Sequence, residues 1–390
     1  MVAAISIGRK LLMRLSLLLA VLVVAACDPM ATVGGGPTID TRRSVPVALL
    51  VPQTAPQGGA GLSQSIENAA RLAMADLSGV DVKLTVYDTR GTAAGAEAAT
   101  VAALGDGAKI ILGPVFAEAA NAAGVVASRR GVNVLSFSNN PAIAGGNVFI
   151  LGSTFQNTAD RLVGYAARQG VRDIMIVHAN SPAELTGRDA ISRAIAANGS
   201  RLAGTASFDL SQQSVISAIP QIASQVRSNG AKAVFMTSGN DGAIPFLAEL
   251  LPENGIDNTA VQFIGLQRLD IPATALSLDG LQGAWFAVPD PGLAAQFNGR
   301  YQAAYGTNPH PLAGLAYDGI AAIGALVSAE GSDALTVPAL TRPSGFVGVN
   351  GVFRLRPNGT NERGLAVATI QDRQVTYLDP APRSFGTPGL

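Results

Sequence analysis

Short apolar runs alternate along this chain with longer stretches whose apolar residues recur at helical spacing. The alternation is clearest from Lys109 to Pro141. There the run Lys109-Ile110-Ile111-Leu112 stops at Gly113-Pro114, and a small-residue helical pattern follows from Glu118 to Arg129. A second β-rich run, Asn133-Val134-Leu135-Ser136-Phe137, ends in the polar loop Ser138-Asn139-Asn140-Pro141. This order predicts a βαβ unit. Both runs are nearly continuous in apolar residues, as strands are when helices cover both faces of a parallel sheet. Two successive strand ends then present loops on one sheet edge, and open α/β sheets hold ligands outside the carboxyl ends of their strands.

The same reading extends in both directions. Upstream it predicts a strand over Ser44–Val51, the turn-rich loop Pro52–Gly61, a helix over Ser63–Leu77, a strand over Val82–Tyr87 and a helix over Ala93–Leu104. Downstream, an extended run at Asn147–Gly152 leads into Ser153–Asn157, read as a crossover. Helices follow at Thr158–Gln169, Leu185–Asn198, Ser214–Asn229 and Gly242–Leu251, with strands at Asp173–His178, Arg201–Phe208, Ala231–Thr237, Gln262–Gly265 and Gly283–Val288. Pro289-Asp290-Pro291 reads as the return crossover, before helices at Leu293–Tyr305 and Leu312–Ala329 and a closing hairpin of Gly348–Arg354 with Leu365–Thr376. The predicted fold class is α/β, with two doubly wound parallel-sheet lobes joined by three crossovers near Thr154, Pro289 and Leu340. Residues 44–154 with 289–340 form the first lobe, 155–288 with 341–378 the second, and 379–390 a disordered tail. Two such lobes can open and close about a hinge.

The N-terminus changes the picture. Arg9, Lys10 and Arg14 precede the apolar segment Leu15–Ala26, which is too short for a comfortable membrane span. It ends Val24-Ala25-Ala26-Cys27, and Cys27 is the single cysteine. This resembles a bacterial lipobox, in which residues 1–26 are a signal peptide and Cys27 is acylated, placing the protein in the periplasm on a membrane anchor, inner or outer. The alternative is an ordinary secretory peptide with a chance cysteine. Asp28 to Arg43, with Gly34-Gly35-Gly36-Pro37, reads as a flexible tether. Lys plus Arg and Asp plus Glu are equal at 27 each, so no basic surplus points to nucleic acid.

Enzyme chemistry has little support. The two histidines, His178 and His310, have no metal-ligand spacing partner. There is no Gly-x-Ser-x-Gly elbow, no phosphate loop and no dinucleotide fingerprint. Gly58-Gly59-Ala60-Gly61 lacks the Lys and Ser/Thr of a phosphate loop and reads as a permissive surface turn. The expectation is a binding protein without cofactor or metal.

Val86-Tyr87-Asp88-Thr89, Gly107-Ala108-Lys109-Ile110-Ile111-Leu112-Gly113-Pro114, Val134-Leu135-Ser136-Phe137 and the later Tyr317-Asp318 occur in this order. Together with the lipobox, they resemble the leucine-binding-protein type of periplasmic solute receptors over about Val45 to Leu378. The resemblance implies the type I periplasmic binding fold and an amino acid or related small polar solute held in the interlobe cleft for an ABC transporter permease. It also implies that the loops after the Gly-Pro strand and the next strand hold the solute's α-carboxylate and α-amino groups. Here those loops are Phe116-Ala117-Glu118 and Ser138-Asn139. Asn240, Asp241 and Gln267 would meet the solute from the second lobe. Asp241 is the candidate ammonium partner, because Gln267 stands where the family has an acid. Phe116 also fits a core or rim residue, Asp88, Ser138 and Asn139 fit turn residues, and Asn240-Asp241-Gly242 fits a plain turn. The Tyr-Asp-Thr and Gly-Ala-x-x-Ile-x-Gly-Pro pattern also looks like the lipoprotein activators of penicillin-binding proteins, which stimulate peptidoglycan synthesis by touching a partner enzyme.

Overall fold

The computed structural model describes residues 35–56 and 58–385. The signal segment, Cys27 and residues 386–390 of the tail lie outside them. Five parallel strands form the first sheet: β1 (Val45–Val51), β2 (Val82–Asp88), β3 (Ile110–Leu112), β4 (Asn133–Ser136) and β5 (Val148–Ile150), in the order β2-β1-β3-β4-β5. Helices α1 (Gly59–Asp76), α2 (Ala93–Gly105) and α3 (Ala117–Ser128) connect them. Val47, Leu49 and Val51 of β1 face Ile66, Ala70 and Ala73 of α1. The intervening Ala48 and Leu50 face alanines of α2 and α3, Ala99, Ala103, Ala123 and Ala127. Burial on both faces explains why these strands are apolar without alternation.

The second sheet repeats the scheme. It contains β6 (Asp173–Ala179), β7 (Arg201–Phe208), β8 (Ala233–Met236), β9 (Gln262–Gly265) and β10 (Trp285–Val288), all parallel, in the order β10-β9-β8-β6-β7. Helices α4 (Phe155–Arg168) and α5 (Pro182–Ala197) cover one face. The opposite face is covered by α6 (Gln212–Ser228) and α7 (Ile244–Glu253).

The return segment differs from the sequence expectation. Helices α8 (Pro291–Tyr305) and α9 (Ala313–Glu330) sit with the first lobe, where α9 packs beside α1. The third passage between lobes was expected near Leu340, but the short α10 (Val337–Leu340) is followed by a small antiparallel sheet that stays with the first core. That sheet is β11 (Phe346–Gly348), β12 (Gly351–Leu355) and β13 (Asn361–Arg363), and Phe346, Phe353 and Leu355 are buried with β1 and α9. The chain passes to the second sheet only between Arg363 and Ala366, where β14 (Ala366–Gln371) pairs antiparallel with β10. The single closing hairpin is therefore two hairpins in different lobes. β11 turns into β12 across Val349-Asn350, and β14 turns into β15 (Gln374–Asp379) across Asp372-Arg373. Both Asp372 and Arg373 have positive φ, 52° and 62°, as a primed two-residue hairpin requires, but neither is the glycine that usually announces one.

The described residues of the expected tether and tail, 35–43 and 380–385, pack against the lobes. Ile39, in the expected tether, is buried in the first core and its N–H donates to Ser332 O. Past Asp379, Arg161 Nη2 donates to Pro380 O at 2.9 Å, Ala381 is buried, and Arg354 stacks on Phe385. Apolar and backbone contacts from distant segments hold these residues.

Candidate functional site

Strand order locates the site. The first sheet reverses direction of growth between β1 and β3, the second between β6 and β8. Outside the carboxyl ends of strands at such a switch point two loops diverge and leave a crevice. The first and second passages leave from the carboxyl ends of β5 and β10, at Ile150 and Val288, and β14 enters opposite Val288 at Ala366. The carboxyl edges of both sheets therefore lie at the junction between the lobes.

On the first lobe, Asp88 at the end of β2 ties the loops after β1 and β2 together. Its carboxylate accepts from Thr54 Oγ1 at 2.6 Å, Thr54 N at 3.3 Å and Arg90 N at 2.8 Å. Desolvation pushes this carboxyl up, but the hydrogen bonds from Thr54 and Arg90 outweigh it and hold the pKa below the usual value. The loop after β3 begins at Gly113, whose φ of 85° and close approach to Leu50 O leave no room for a side chain. Ser136 Oγ then donates to Pro114 O at 3.0 Å and accepts from Ser138 N at 3.1 Å, locking the loops after β3 and β4 together. Ser138 is buried and its hydroxyl accepts from Asn140 N at 3.1 Å, while Asn139 is exposed. Phe116 is 45% exposed, with its ring edge against Gly91. It is the N-cap residue of α3 and offers no side-chain cap, so the first turn at Ala117 and Glu118 keeps the positive end of the helix uncapped by a side chain.

On the second lobe the structure brings forward a residue the sequence reading missed. Glu184, in the first turn of α5, lies between the ends of β6 and β8. Its carboxylate accepts from Ala179 N at 2.6 Å, from Thr237 Oγ1 at 2.8 Å and from Ser238 Oγ at 2.8 and 2.9 Å. Thr237 and Ser238 are buried, so the acid is held rigidly at the switch point. Its signal was present in Ser181-Pro182-Ala183-Glu184, an N-cap serine with an acid three residues on. In a capping box that acid bonds back to the cap; here Ser181 caps Glu184 N, while the acid turns to the strand ends.

The sequence-predicted residues of this lobe form the neighbouring loop. Asn240 is half-buried, and its amide nitrogen donates to Arg268 O, Leu269 O and Ile271 O, leaving a buried Oδ1 with no partner among the described residues. Gln267 Nε2 donates to Thr237 O at 3.1 Å. Asp241 Oδ1 and Gln267 Oε1 converge over Gly239, each within 2.8 Å of where a Cβ on that glycine would stand. Asp241, Gln267 and Glu184 thus share one edge, with Thr237 linking the last two. No group of three His, Cys, Asp or Glu side chains suited to a metal ion occurs among the described residues.

Two doubly wound lobes, connected by three passages and facing each other with their carboxyl edges, define a two-lobed binding protein. A sequence model of the periplasmic binding protein family matches residues 44–374, and the chain belongs to that family, one of solute-binding components rather than enzymes. No curated protein sequence matches the chain. Among solved structures, a putative branched-chain amino acid ABC transporter protein from Rhodospirillum rubrum is 17% identical, with a TM-score of 0.74 over 86% of this chain and 100% of that one. An ABC transporter substrate-binding protein from Desulfitobacterium hafniense in complex with Leu is 16% identical, with a TM-score of 0.64 over 86% of this chain and 100% of that one. A solute-binding protein from R. palustris in complex with benzoate is 17% identical, with a TM-score of 0.59 over 89% of this chain and 98% of that one. At these identities the likeness is one of fold.

Proposed function

We propose that the protein is the periplasmic solute-binding component of an ABC transporter, and that it takes an amino acid or similar small zwitterion between its lobes. The observation that carries this reading is the carboxylate of Glu184 fixed at the second switch point, opposite the loops of the first. The first presents a helix N-terminus without a side-chain cap, at Phe116-Ala117-Glu118, beside Ser138 and Asn139. Its backbone N–H groups suit a carboxylate, and Glu118 in the same turn adds a negative charge beside them. The second presents the fixed carboxylate of Glu184, with Asp241, Asn240 and Gln267 on the adjoining loop, and favours an ammonium group. The Leu and benzoate named in the two related complexes share a carboxylate, and only Leu adds the ammonium group. Lipid carried by Cys27 would tether the protein to a bacterial membrane beside its permease.

Titration calorimetry across free amino acids and benzoate tests this. An amino acid should bind at least tenfold more tightly than benzoate. Glu184→Gln should weaken it about thirtyfold, roughly the 2 kcal/mol expected for losing a charged buried contact. Benzoate binding as tightly as every amino acid would overturn the zwitterion assignment. A broad solute screen without any binding would instead favour the activator of a penicillin-binding protein.

A further inference from the structure

A cavity lies where the first and third passages run side by side. It has a volume of about 770 Å³. Its walls come from the start of α4 (Thr154, Asn157), from α5 (Arg193), from Asn361 and Arg363 of β13, and from the tail at Pro382–Phe385. The two passages are laced together beneath it. Asn361 Nδ2 donates to Ile150 O and Gly152 O, Arg363 Nε donates to Leu151 O, and Asn157 Nδ2 donates to Asn361 O.

Three features give this cavity the character of an anion site. Its walls hold four arginines, Arg161, Arg193, Arg356 and Arg363, against two carboxylates, Asp160 and Glu362. Behind the walls Arg363 pairs with Asp318, Arg161 and Arg168 share Asp379, and Arg354 and Arg356 share Glu362, so with Arg193 and Asp160 six arginines meet four acids and a surplus of two positive charges remains. Arg193 spends only Nε on a protein partner among the described residues, Gln156 Oε1 at 2.9 Å. In the wall, Arg363 Nη2 and Asn361 Oδ1 are buried, on residues more than nine-tenths buried, and neither has a hydrogen-bond partner among the described residues. One is a donor and the other an acceptor. The buried polar groups of a folded protein are ordinarily paired, and a ligand that both accepts and donates satisfies this couple.

We propose that this cavity binds hydrogen phosphate, free or at the end of a small molecule that keeps the acidic proton. Its oxygens accept from Arg363, Arg193 and Arg356, and its hydroxyl donates to Asn361 Oδ1. The site holds the passages about which the lobes would move.

The test is calorimetry of the intact protein with inorganic phosphate, against sulfate and sodium chloride at equal ionic strength. Sulfate has the same size and charge as hydrogen phosphate but no proton at neutral pH. Phosphate should bind saturably with one site, at least tenfold more tightly than sulfate, and should raise the thermal midpoint. The double variant Arg193→Ala, Arg356→Ala, whose side chains lie at the exposed rim, should fold normally by circular dichroism and lose at least tenfold in phosphate affinity. Asn361→Asp, whose carboxylate still accepts a proton from hydrogen phosphate but repels an anion that has none, should weaken sulfate more than phosphate. Equal binding of sulfate would overturn the assignment of hydrogen phosphate. A response matched by chloride, or unchanged in the double variant, would overturn the site.

Discussion

At the scale of single residues, the decisive side chains are those that settle strand-end loops. Asp88 shows how. The sequence fits it as a turn residue, and the structure commits its oxygens to Thr54 and Arg90. Its folded pKa lies below the unfolded value of about 4. The stability it contributes is therefore complete above about pH 4 and is lost as pH falls through the lower folded value. Asp88→Asn should lose less stability between pH 5 and pH 3 than the parent chain, read from urea midpoints at each pH; an unchanged slope would show that the clasp is energetically idle. Glu184 is the opposite case. Its cap signature was legible, but its role needed β8, more than forty residues away in sequence, to bring Thr237 and Ser238 within hydrogen-bond distance.

At the scale of elements, periodicity located strands and helices well and placed their beginnings poorly. The helix expected from Leu185 begins at Pro182, and the one expected from Thr158 begins at Phe155 behind the Thr154–Asn157 capping box. Apolar spacing marks the face that meets the sheet, whereas the first turn is polar and is set by its cap. The loop after β8 makes the same point. Asn240-Asp241-Gly242 reads as a turn, yet the Asn240 amide closes it onto three carbonyls of a segment about thirty residues on. Removing that amide takes the donor from three carbonyls, two part-buried and one exposed. Asn240→Ala should cost about 1–3 kcal/mol in chemical unfolding. A loss below about 0.5 kcal/mol would mean that the loop holds its shape without it.

At the scale of the whole molecule, the two cores are joined by short passages laced together by side-chain hydrogen bonds. Asp318 on α9 and Arg363 on β13 form a buried pair, with Asp318 also accepting from Val349 N at 2.7 Å. Burial pushes Asp318 up and Arg363 down, and each partner's charge pulls the other back. Removing one member strands the other. Arg363→Met should destabilise the protein by about 3–5 kcal/mol, and adding Asp318→Asn should recover part of that loss. A double variant no more stable than the single one would contradict the account. Anchoring belongs to this scale as well. If Cys27 carries lipid, Cys27→Ser should move the protein from the membrane fraction to the soluble fraction; continued membrane partitioning after normal cleavage would exclude the anchor.

The sequence by itself determined the alternation of elements and hence the α/β class. Burial on two faces writes an apolar run for each strand, and a βα repeat admits few topologies. It also marked the loop after Gly113-Pro114, because a glycine and a proline that end an apolar run can be recognised locally. Only the tertiary structure decided which lobe claims residues 346–363, since an antiparallel hairpin looks the same in sequence whichever core it covers. The same holds for the pairing of Glu184 with Thr237 and Ser238, of Asn361 with Ile150 and Gly152, and of Arg363 with Asp318. Each depends on groups brought together from segments far apart in the chain, and no local spacing encodes a partner at that distance.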